Sequence, residues 1–140
     1  MAPTFRADAY INGEWVKSDK RFDVFNPATQ EVIAHVPDLG AAETERAITA
    51  AADALPGWSA KTAKERAAVL KKWFDLCMAD LDRLAQLITL EGGKPLAEAR
   101  GEAAYGASFF EWFAEEAKRA YGHTIPTTTQ SRRYVTIKQP

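Results

Sequence analysis

The sequence contains a single cysteine, which is therefore the only candidate for a thiolate nucleophile. Cys77 lies in D-L-C-M-A-D, on the apolar side of a predicted helix. A cysteine nucleophile needs a nearby histidine, cation or helix N-terminus that favours its thiolate form, and none is placed there. We therefore interpret Cys77 as a core residue. A single cysteine also allows no internal disulfide, which is typical of a reducing, cytoplasmic setting.

Gly101 and Gly106, followed by Ala107-Ser108, have the glycine spacing of a phosphate-binding loop. Ala107 stands where such a loop needs a lysine, so the match fails. The segment is also predicted to be helix interior, where backbone N–H groups are already bonded, and tight helix packing accounts better for both glycines. No G-x-G-x-x-G occurs in the sequence, so it carries no dinucleotide fingerprint.

Metal ligands and carboxylate-binding groups are equally sparse. His35 and His123 are isolated and belong to no metal-ligand spacing, so we predict no metal site. Arg100, Arg132 and Arg133 could hold a carboxylate, with surface or ion-pair roles as the alternative. The residue types by themselves therefore predict no catalytic, cofactor-binding or metal-binding residue.

Length and charge narrow the class of protein further. The 140 residues suit one domain, and 46% of them are hydrophobic, as in soluble globular proteins. Lys and Arg total 18 against 19 Asp and Glu, without the basic stripe that nucleic-acid binding requires. The longest apolar stretches fall well short of the roughly 20 residues that cross a bilayer, and the N-terminus lacks the apolar core of a signal peptide. We expect no nucleic acid and no membrane among the partners.

Turn residues predict two short β-hairpins near the N-terminus. After a predicted flexible tail, residues 1–7, A-Y-I-N-G-E-W-V contains Asn12-Gly13, which favours the positive φ angles of a type I′ turn. Two further extended segments follow, R-F-D-V-F before Asn26-Pro27 and E-V-I-A-H-V before Pro37. Each ends at a proline, which disfavours helix in the residue before it.

Helical patterns cover the middle of the chain. We predict a helix from near Ala41 to Ala54, ended by Pro56-Gly57, and another that begins at a capping box formed by Thr62 and Glu65. A bend is expected near residue 79, where Asp80 could cap a second segment. Spacings of three and four place one apolar stripe along this region, made of Ala67, Leu70, Phe74, Cys77, Leu81, Leu84 and Ile88.

The last predicted helix, about Pro95 to Tyr121, follows a stop at Gly92-Gly93 and has two different faces. The alanine face allows another helix to approach closely and consists of Ala99, Ala103, Ala107, Ala114 and Ala117. The aromatic face consists of Tyr105, Phe109, Trp112 and Phe113. A polar loop, T-I-P-T-T-T-Q-S, and a half-buried strand from about Arg133 to Pro140 complete the chain.

The aromatic face and the terminal strand predict that further polypeptide is needed to cover this chain. Each aromatic side chain contributes roughly 1.5–3 kcal/mol only when it is buried. A strand that reaches the C-terminus without a partner is an exposed edge. We therefore expect its continuation and at least one pairing partner to be missing. The alternative is that the chain folds back on itself and covers both features.

Several strings, in this order and spacing, resemble the start of aldehyde dehydrogenases. They are Y-I-N-G-E-W-V, F-N-P-A-T from Phe25 to Thr29, E-V-I-A-H-V-P, E-R-A-A-V-L-K-K-W, and L-E-G-G-K-P from Leu90 to Pro95. The stretch from Gly93 to Arg119 is similar, more narrowly, to succinate-semialdehyde dehydrogenases. The resemblance covers nearly the whole chain beyond the predicted tail.

The resemblance implies an α/β, aldehyde-dehydrogenase-like fold, of which this chain is the N-terminal, mainly helical part with two short β-hairpins and a C-terminal strand. Residues 8–122 would be the N-terminal part of the cofactor-binding domain, and residues 123–140 the start of the oligomerisation arm. The complete enzyme would be a homo-oligomer. The partner of this chain would be the remainder of the parent polypeptide.

The implied function is oxidation of succinate semialdehyde, or a related aldehyde, to the carboxylic acid with NAD or NADP. In the family a cysteine thiolate attacks the aldehyde, an Asn side chain helps to hold the oxyanion, and a Glu activates the water that releases the acid. All of these residues lie downstream of this segment in the family. We therefore expect this chain alone to bind no cofactor and to be inactive.

The resemblance also places three residues near the substrate. In related enzymes the helix matching Pro95 to Tyr121 lines the substrate entrance tunnel, and Gly101 and Tyr105 fall on positions that face it. Phe109 could extend this aromatic wall, which would suit a short, polar aldehyde. Alternatively, Tyr105 and Phe109 pack against the rest of the protein. The family's carboxylate-anchoring arginines fall at none of the arginine positions considered above.

A second class of function stays open on the residues alone. A free-standing helical module could use the aromatic face and the terminal strand to bind a partner protein by helix packing or strand addition. Generic amphipathicity supports that hypothesis, whereas the ordered strings support the enzyme hypothesis.

Overall fold

Four helices and three two-stranded antiparallel ribbons make up the chain in a computed structural model, which describes residues 6–139. The elements are β1 (Ala9–Ile11), β2 (Glu14–Val16), β3 (Arg21–Phe25), β4 (Val32–Pro37), α1 (Ala41–Ser59), α2 (Ala63–Ala79), α3 (Leu81–Gly92), α4 (Leu96–Glu116), a 3-10 turn (Ala117–Arg119), β5 (His123–Ile125) and β6 (Tyr134–Thr136). The predicted mainly helical character is confirmed. Most of the predicted tail lies outside the described residues, and Arg6 stacks over the Trp15 ring at 4.6 Å.

The two predicted hairpins are confirmed. β1 pairs with β2 across Asn12 and Gly13, whose φ angles of 50° and 83° are those that a type I′ turn needs. β3 pairs with β4 with a bulge beside Phe25, and Pro37 is the last residue of β4 instead of following it. A proline is tolerated there because β4 is an edge strand, and the pairing continues past Pro37 through the Asp38 N–H, which donates to the Lys20 carbonyl at 2.8 Å.

The predicted end of the first helix is wrong. α1 continues through Pro56-Gly57 to Ser59. A proline removes one intrahelical hydrogen bond, but Pro56 lies close to the end of α1, and its carbonyl accepts from the Ala60 N–H and the Ser59 hydroxyl, both at 3.1 Å. One lost bond therefore does not end the helix.

The capping box and the bend are both present. The Glu65 N–H donates to Thr62 Oγ1 at 3.3 Å, and the Thr62 N–H donates to Glu65 Oε2 at 2.7 Å. Asp80, between α2 and α3, makes no side-chain cap, because its carboxylate accepts from Arg83 Nε at 2.9 Å instead. Every member of the predicted apolar stripe is buried or half-buried.

The core lies where α4 packs against α2 and α3. Ala99, Ala107 and Ala114 on the alanine face are at most 3% exposed, which lets the helices approach closely. Phe110 of α4 stacks on Trp73 of α2 with ring centres 4.1 Å apart. Within residues 6–139 no large side chain is completely buried, so the core is thin.

Gly93 joins the helices to the second ribbon. It ends α3 in the left-handed conformation, with φ 71°, and its N–H donates to the Thr89 carbonyl at 2.9 Å. A Cβ at this position would lie 3.0 Å from Pro27 Cγ, so the ribbon turn rests directly on the glycine. Pro95, predicted in the first turn of the next helix, immediately precedes α4 as its N-cap.

Among residues 6–139 the terminal strand has one pairing partner, and the expectation that at least one further partner is missing stays a prediction. β6 pairs with β5, and part of β5 was predicted to belong to a polar loop. The last helix, with its 3-10 turn, ends at Arg119, two residues before the predicted end at Tyr121. β5 has only three residues, followed directly by Pro126, which is too short to show a strand period. Gly122 makes the ribbon possible, because a Cβ there would overlap the Thr136 carbonyl oxygen.

Gly122→Ala is therefore expected to open the third ribbon. The added methyl group forces the backbone away from Thr136, at a cost of about 1–3 kcal/mol. Amide hydrogens of β5 and β6 should exchange faster in hydrogen-exchange mass spectrometry. Gly57→Ala is the matched control, since its Cβ would meet nothing within 4 Å. Equal exchange of the ribbon in both variants would contradict the overlap.

The capping box also predicts a dependence on pH. The Thr62 backbone N–H lowers the pKa of Glu65 below its ordinary 4.5, so the cap stabilises the folded state above that value and is lost as the pH falls through the lowered pKa. Between about pH 5 and pH 3, wild type should lose more helicity than Glu65→Gln, which does not titrate. Far-UV circular dichroism measures this. Glu45→Gln, at an exposed position of α1, is the control and should lose as much helicity as wild type over this range.

Candidate functional site

Gly101, Tyr105 and Phe109 lie on one exposed stripe of α4, opposite the alanine face. Positions four residues apart advance by only ~40° around a helix, so the three residues follow one another along its surface. Tyr105 is 66% exposed and Phe109 is 45% exposed. The structure thus brings the three predicted substrate residues together on a surface open to solvent.

Aromatic contacts organise this stripe. The Tyr105 and Phe109 rings meet edge to face with centres 5.0 Å apart, a favourable geometry for two aromatic quadrupoles. Ser108 Oγ donates to the Tyr105 carbonyl at 2.7 Å. Trp112 extends the stripe, seven residues beyond Tyr105, although sequence reasoning did not include it among the substrate residues. The 101, 105, 112 spacing could have found it.

The aromatic face borders a shallow groove whose rim charges are already paired. The groove, of about 530 Å³, runs along α4 from Tyr105 to Arg119. On its rim, Glu115 pairs with Lys118 at 3.2 Å and Glu116 pairs with Arg119 at 2.5 Å. The groove therefore offers aromatic carbon, the Tyr105 hydroxyl and the Trp112 indole N–H, which can bind and orient a small polar molecule.

The tight packing predicted at Gly101 and Gly106 is wrong for the described part of the chain. Both glycines are exposed, and an added Cβ at either would meet nothing within 4 Å. A glycine inside a helix is about 1 kcal/mol less favourable than alanine. Neither glycine is compensated by a contact among residues 6–139. At Gly101 the missing side chain leaves the α4 backbone accessible beside Tyr105.

The other candidates do not join the stripe. Cys77 is half-buried on the apolar stripe of α2, as its interpretation as a core residue predicts. His35 Nδ1 pairs with Asp23 at 2.6 Å, across the second ribbon, and His123 lies in β5. Arg100 pairs with Asp82. No group of three or more His, Cys, Asp or Glu that could hold a metal ion occurs within the described range, 6–139.

Among the described residues, none of the helices combines the length and apolar character needed to cross a bilayer.

The glycines of α4 do not form a dinucleotide-binding site. Gly101 and Gly106 lie inside the helix, where N–H groups bond to carbonyls one turn earlier and cannot cradle a phosphate.

Comparisons with known proteins identify the family of the chain. The sequence profile of the aldehyde dehydrogenase family matches residues 15–140, so the chain belongs to the aldehyde dehydrogenase family. Several of its relatives are, more narrowly, semialdehyde dehydrogenases. It is 60% identical to a glutarate-semialdehyde dehydrogenase of Pseudomonas putida, over 99% of this chain and 29% of the relative.

Two further relatives agree. The chain is 56% identical to a succinate-semialdehyde dehydrogenase [NADP(+)] of Escherichia coli, over 97% of this chain and 29% of the relative. A crystal structure of succinate-semialdehyde dehydrogenase from Burkholderia pseudomallei superposes with a TM-score of 0.92 and 58% identity, over 96% of this chain and 28% of that one. The predicted family and fold are confirmed, and the chain spans less than a third of these relatives.

The neighbouring residues Phe109 and Phe110 test the division of α4 into two faces. Phe110→Ala removes the ring stacked on Trp73 and should destabilise the chain by roughly 1–3 kcal/mol, less than a fully buried phenylalanine because Phe110 is half-buried. Phe109→Ala should cost less than about 1 kcal/mol, since mainly its Tyr105 contact is lost. Urea unfolding followed by circular dichroism compares them. Equal losses would contradict the assignment of faces.

Proposed function

We propose that this chain is the N-terminal part of a dehydrogenase that oxidises succinate semialdehyde, or a related aldehyde, to the carboxylic acid with NAD or NADP. The observation that carries the proposal is 54–60% identity to succinate- and glutarate-semialdehyde dehydrogenases over nearly the whole chain. Both of those substrates are short aldehydes with a terminal carboxylate. Family membership favours this function over a free-standing interaction module.

In this proposal Gly101, Tyr105 and Phe109 line the path of the aldehyde. Gly101 leaves room against the α4 backbone, and the two rings form an apolar wall next to it. The Tyr105 hydroxyl supplies one hydrogen bond to a polar substrate. An uncharged wall suits a passage, because a fixed cation there would hold the substrate carboxylate before it reached the reacting atoms.

The division of the enzyme into domains is part of the same proposal. Residues 8–122 belong to the cofactor-binding domain, and residues 123–140 begin the oligomerisation arm of a cytoplasmic homo-oligomer. The third ribbon supports the second assignment, since Val135 and Ile137 are 68% and 72% exposed. Exposed apolar residues on a short ribbon are suited to pack against another subunit.

The cofactor is assigned to polypeptide outside this chain. The Escherichia coli relative is named for NADP(+), but Gly101 and Gly106 lie inside α4, where their N–H groups cannot cradle a phosphate. The isolated chain is expected to bind neither NAD nor NADP and to oxidise no aldehyde, whereas its contribution is to shape the substrate path.

A full-length chimera tests the function and the role of Tyr105. This chain replaces the matching segment of the Escherichia coli enzyme, and the chimera should oxidise succinate semialdehyde with NADP. Tyr105→Phe should raise KM about 2–10-fold with little change in kcat, as expected for the loss of one hydrogen bond. Steady-state kinetics measures both constants.

Tyr121→Phe is the control, because Tyr121 is equally exposed at 68% but lies beyond α4. An inactive, folded chimera would refute the proposed function. An active chimera in which both tyrosine variants have the same KM would refute only the role of Tyr105.

A further inference from the structure

Gly101 weakens the helix that carries it, and no contact in the described part of the chain compensates for this. It lies inside α4 and is exposed. A glycine in a helix is less favourable than an alanine, because it gives up more backbone freedom on folding. An added Cβ would meet nothing within 4 Å among residues 6–139, so the packing of these residues does not require the glycine. This points to a use for the empty space beside the backbone.

Tyr105 borders this space without filling it. Side chains of a helix lean toward its N-terminus, so the Tyr105 ring, one turn later, leans toward Gly101. No side-chain atom of Tyr105 lies within 4 Å of the position that a Cβ on Gly101 would occupy. The ring is supported from its other side by the edge-to-face contact with Phe109, with centres 5.0 Å apart. The result is a notch, bounded by the α4 backbone at Gly101 and by the Tyr105 ring.

The charged neighbours of Gly101 have partners of their own. Arg100 pairs with Asp82 of α3, and Glu102 pairs with Lys94, which precedes α4. Consecutive residues of a helix point ~100° apart, so these two side chains leave α4 on either side of the notch. The notch therefore offers backbone and aromatic carbon, and it fits an uncharged, apolar part of a ligand.

In a semialdehyde the part that meets this description is the carbon chain between the aldehyde and the carboxylate. Succinate semialdehyde has two methylene groups there, and glutarate semialdehyde has three. Sequence identity does not separate the two substrates, since it is 60% to a relative named for glutarate semialdehyde and 54% and 56% to relatives named for succinate semialdehyde. The side chain that Gly101 lacks, compared with alanine, is one methyl group, which is the scale of this difference.

We propose that Gly101 determines the length of the semialdehyde that the enzyme accepts, because the notch leaves room for the third methylene group of glutarate semialdehyde. The shorter succinate semialdehyde does not need this room. A methyl group on residue 101 would take about the volume of that methylene group. Gly101 is thus a specificity-determining residue and takes no part in the chemistry. This inference rests on the proposed function and deepens it, since it assigns one residue to the length of the substrate.

Kinetics of the Escherichia coli chimera with both semialdehydes tests the proposal. Gly101→Ala should lower kcat/KM for glutarate semialdehyde about 10-fold or more relative to kcat/KM for succinate semialdehyde. The same substitution should raise the thermal midpoint of the isolated chain by about 2–4 °C. Gly106→Ala is the matched control, because Gly106 is also exposed in α4 and its added Cβ would meet nothing within 4 Å. It should stabilise the isolated chain similarly and leave the ratio of the two kcat/KM values unchanged.

An unchanged ratio in Gly101→Ala, the same change in Gly106→Ala, or an unsubstituted chimera that oxidises only succinate semialdehyde would overturn the inference. So would a Gly101→Ala substitution that stabilises the isolated chain but lowers the thermal midpoint of the chimera, because polypeptide and not substrate would then occupy the notch. Each of these results in an active chimera leaves the proposed function intact. A folded chimera that oxidises neither semialdehyde refutes the proposed function and, with it, this inference.

Discussion

The close approach of α4 to α2 and α3 through alanine side chains is the contact on which the rest of the fold depends. Ala99, Ala107 and Ala114 leave the helix backbones room to meet, and the stack of Phe110 on Trp73 fixes the rotation of α4 about its axis. The side chains of a helix point in fixed directions around its axis, so burial of the alanine face leaves the opposite side of α4 exposed to solvent. The aromatic face and Gly101 are exposed for this reason.

This contact contributes little to the free energy of unfolding. An alanine buries little apolar area, and the stabilisation from burial scales with that area. Many larger apolar side chains, including Trp112 and Phe113, stay in water. A core of this kind is suited to positioning a surface within a larger protein, since further stabilisation becomes available when that surface is covered.

The second and third ribbons contact the rest of the chain at two positions where a glycine lets the backbone approach closely. Gly93 ends α3 against Pro27, and Gly122 lets the chain pass Thr136 at the base of the third ribbon. At Gly122 a Cβ would overlap the Thr136 carbonyl oxygen, whereas at Gly93 the left-handed φ of 71° and the close approach of Pro27 together disfavour one. In the proposed function the contribution of this chain is geometric, because α4 places an aromatic wall beside the path of the substrate.

Local sequence determined the features whose physics is local. The Asn12-Gly13 turn, the Thr62 and Glu65 capping box, the break at Asp80 and the stop at Gly93 each depend on residues close together in the chain, and all were predictable. The two faces of α4 were also readable, because helical periodicity converts spacing into direction. The family was recognisable from ordered strings that span nearly the whole chain.

Tertiary structure decided what depends on distant partners. The three residues of β5 became a strand only because β6 lies beside them. α1 passed through Pro56 because only one hydrogen bond is missing near the helix end, and the Pro56 carbonyl still accepts the bond that continues the helix. The open space around Gly101 and Gly106 could not be inferred from their spacing, since a glycine in a helix looks the same in sequence whether a neighbour packs on it or not. Only the rotation of α4 against α2 and α3 separates these cases.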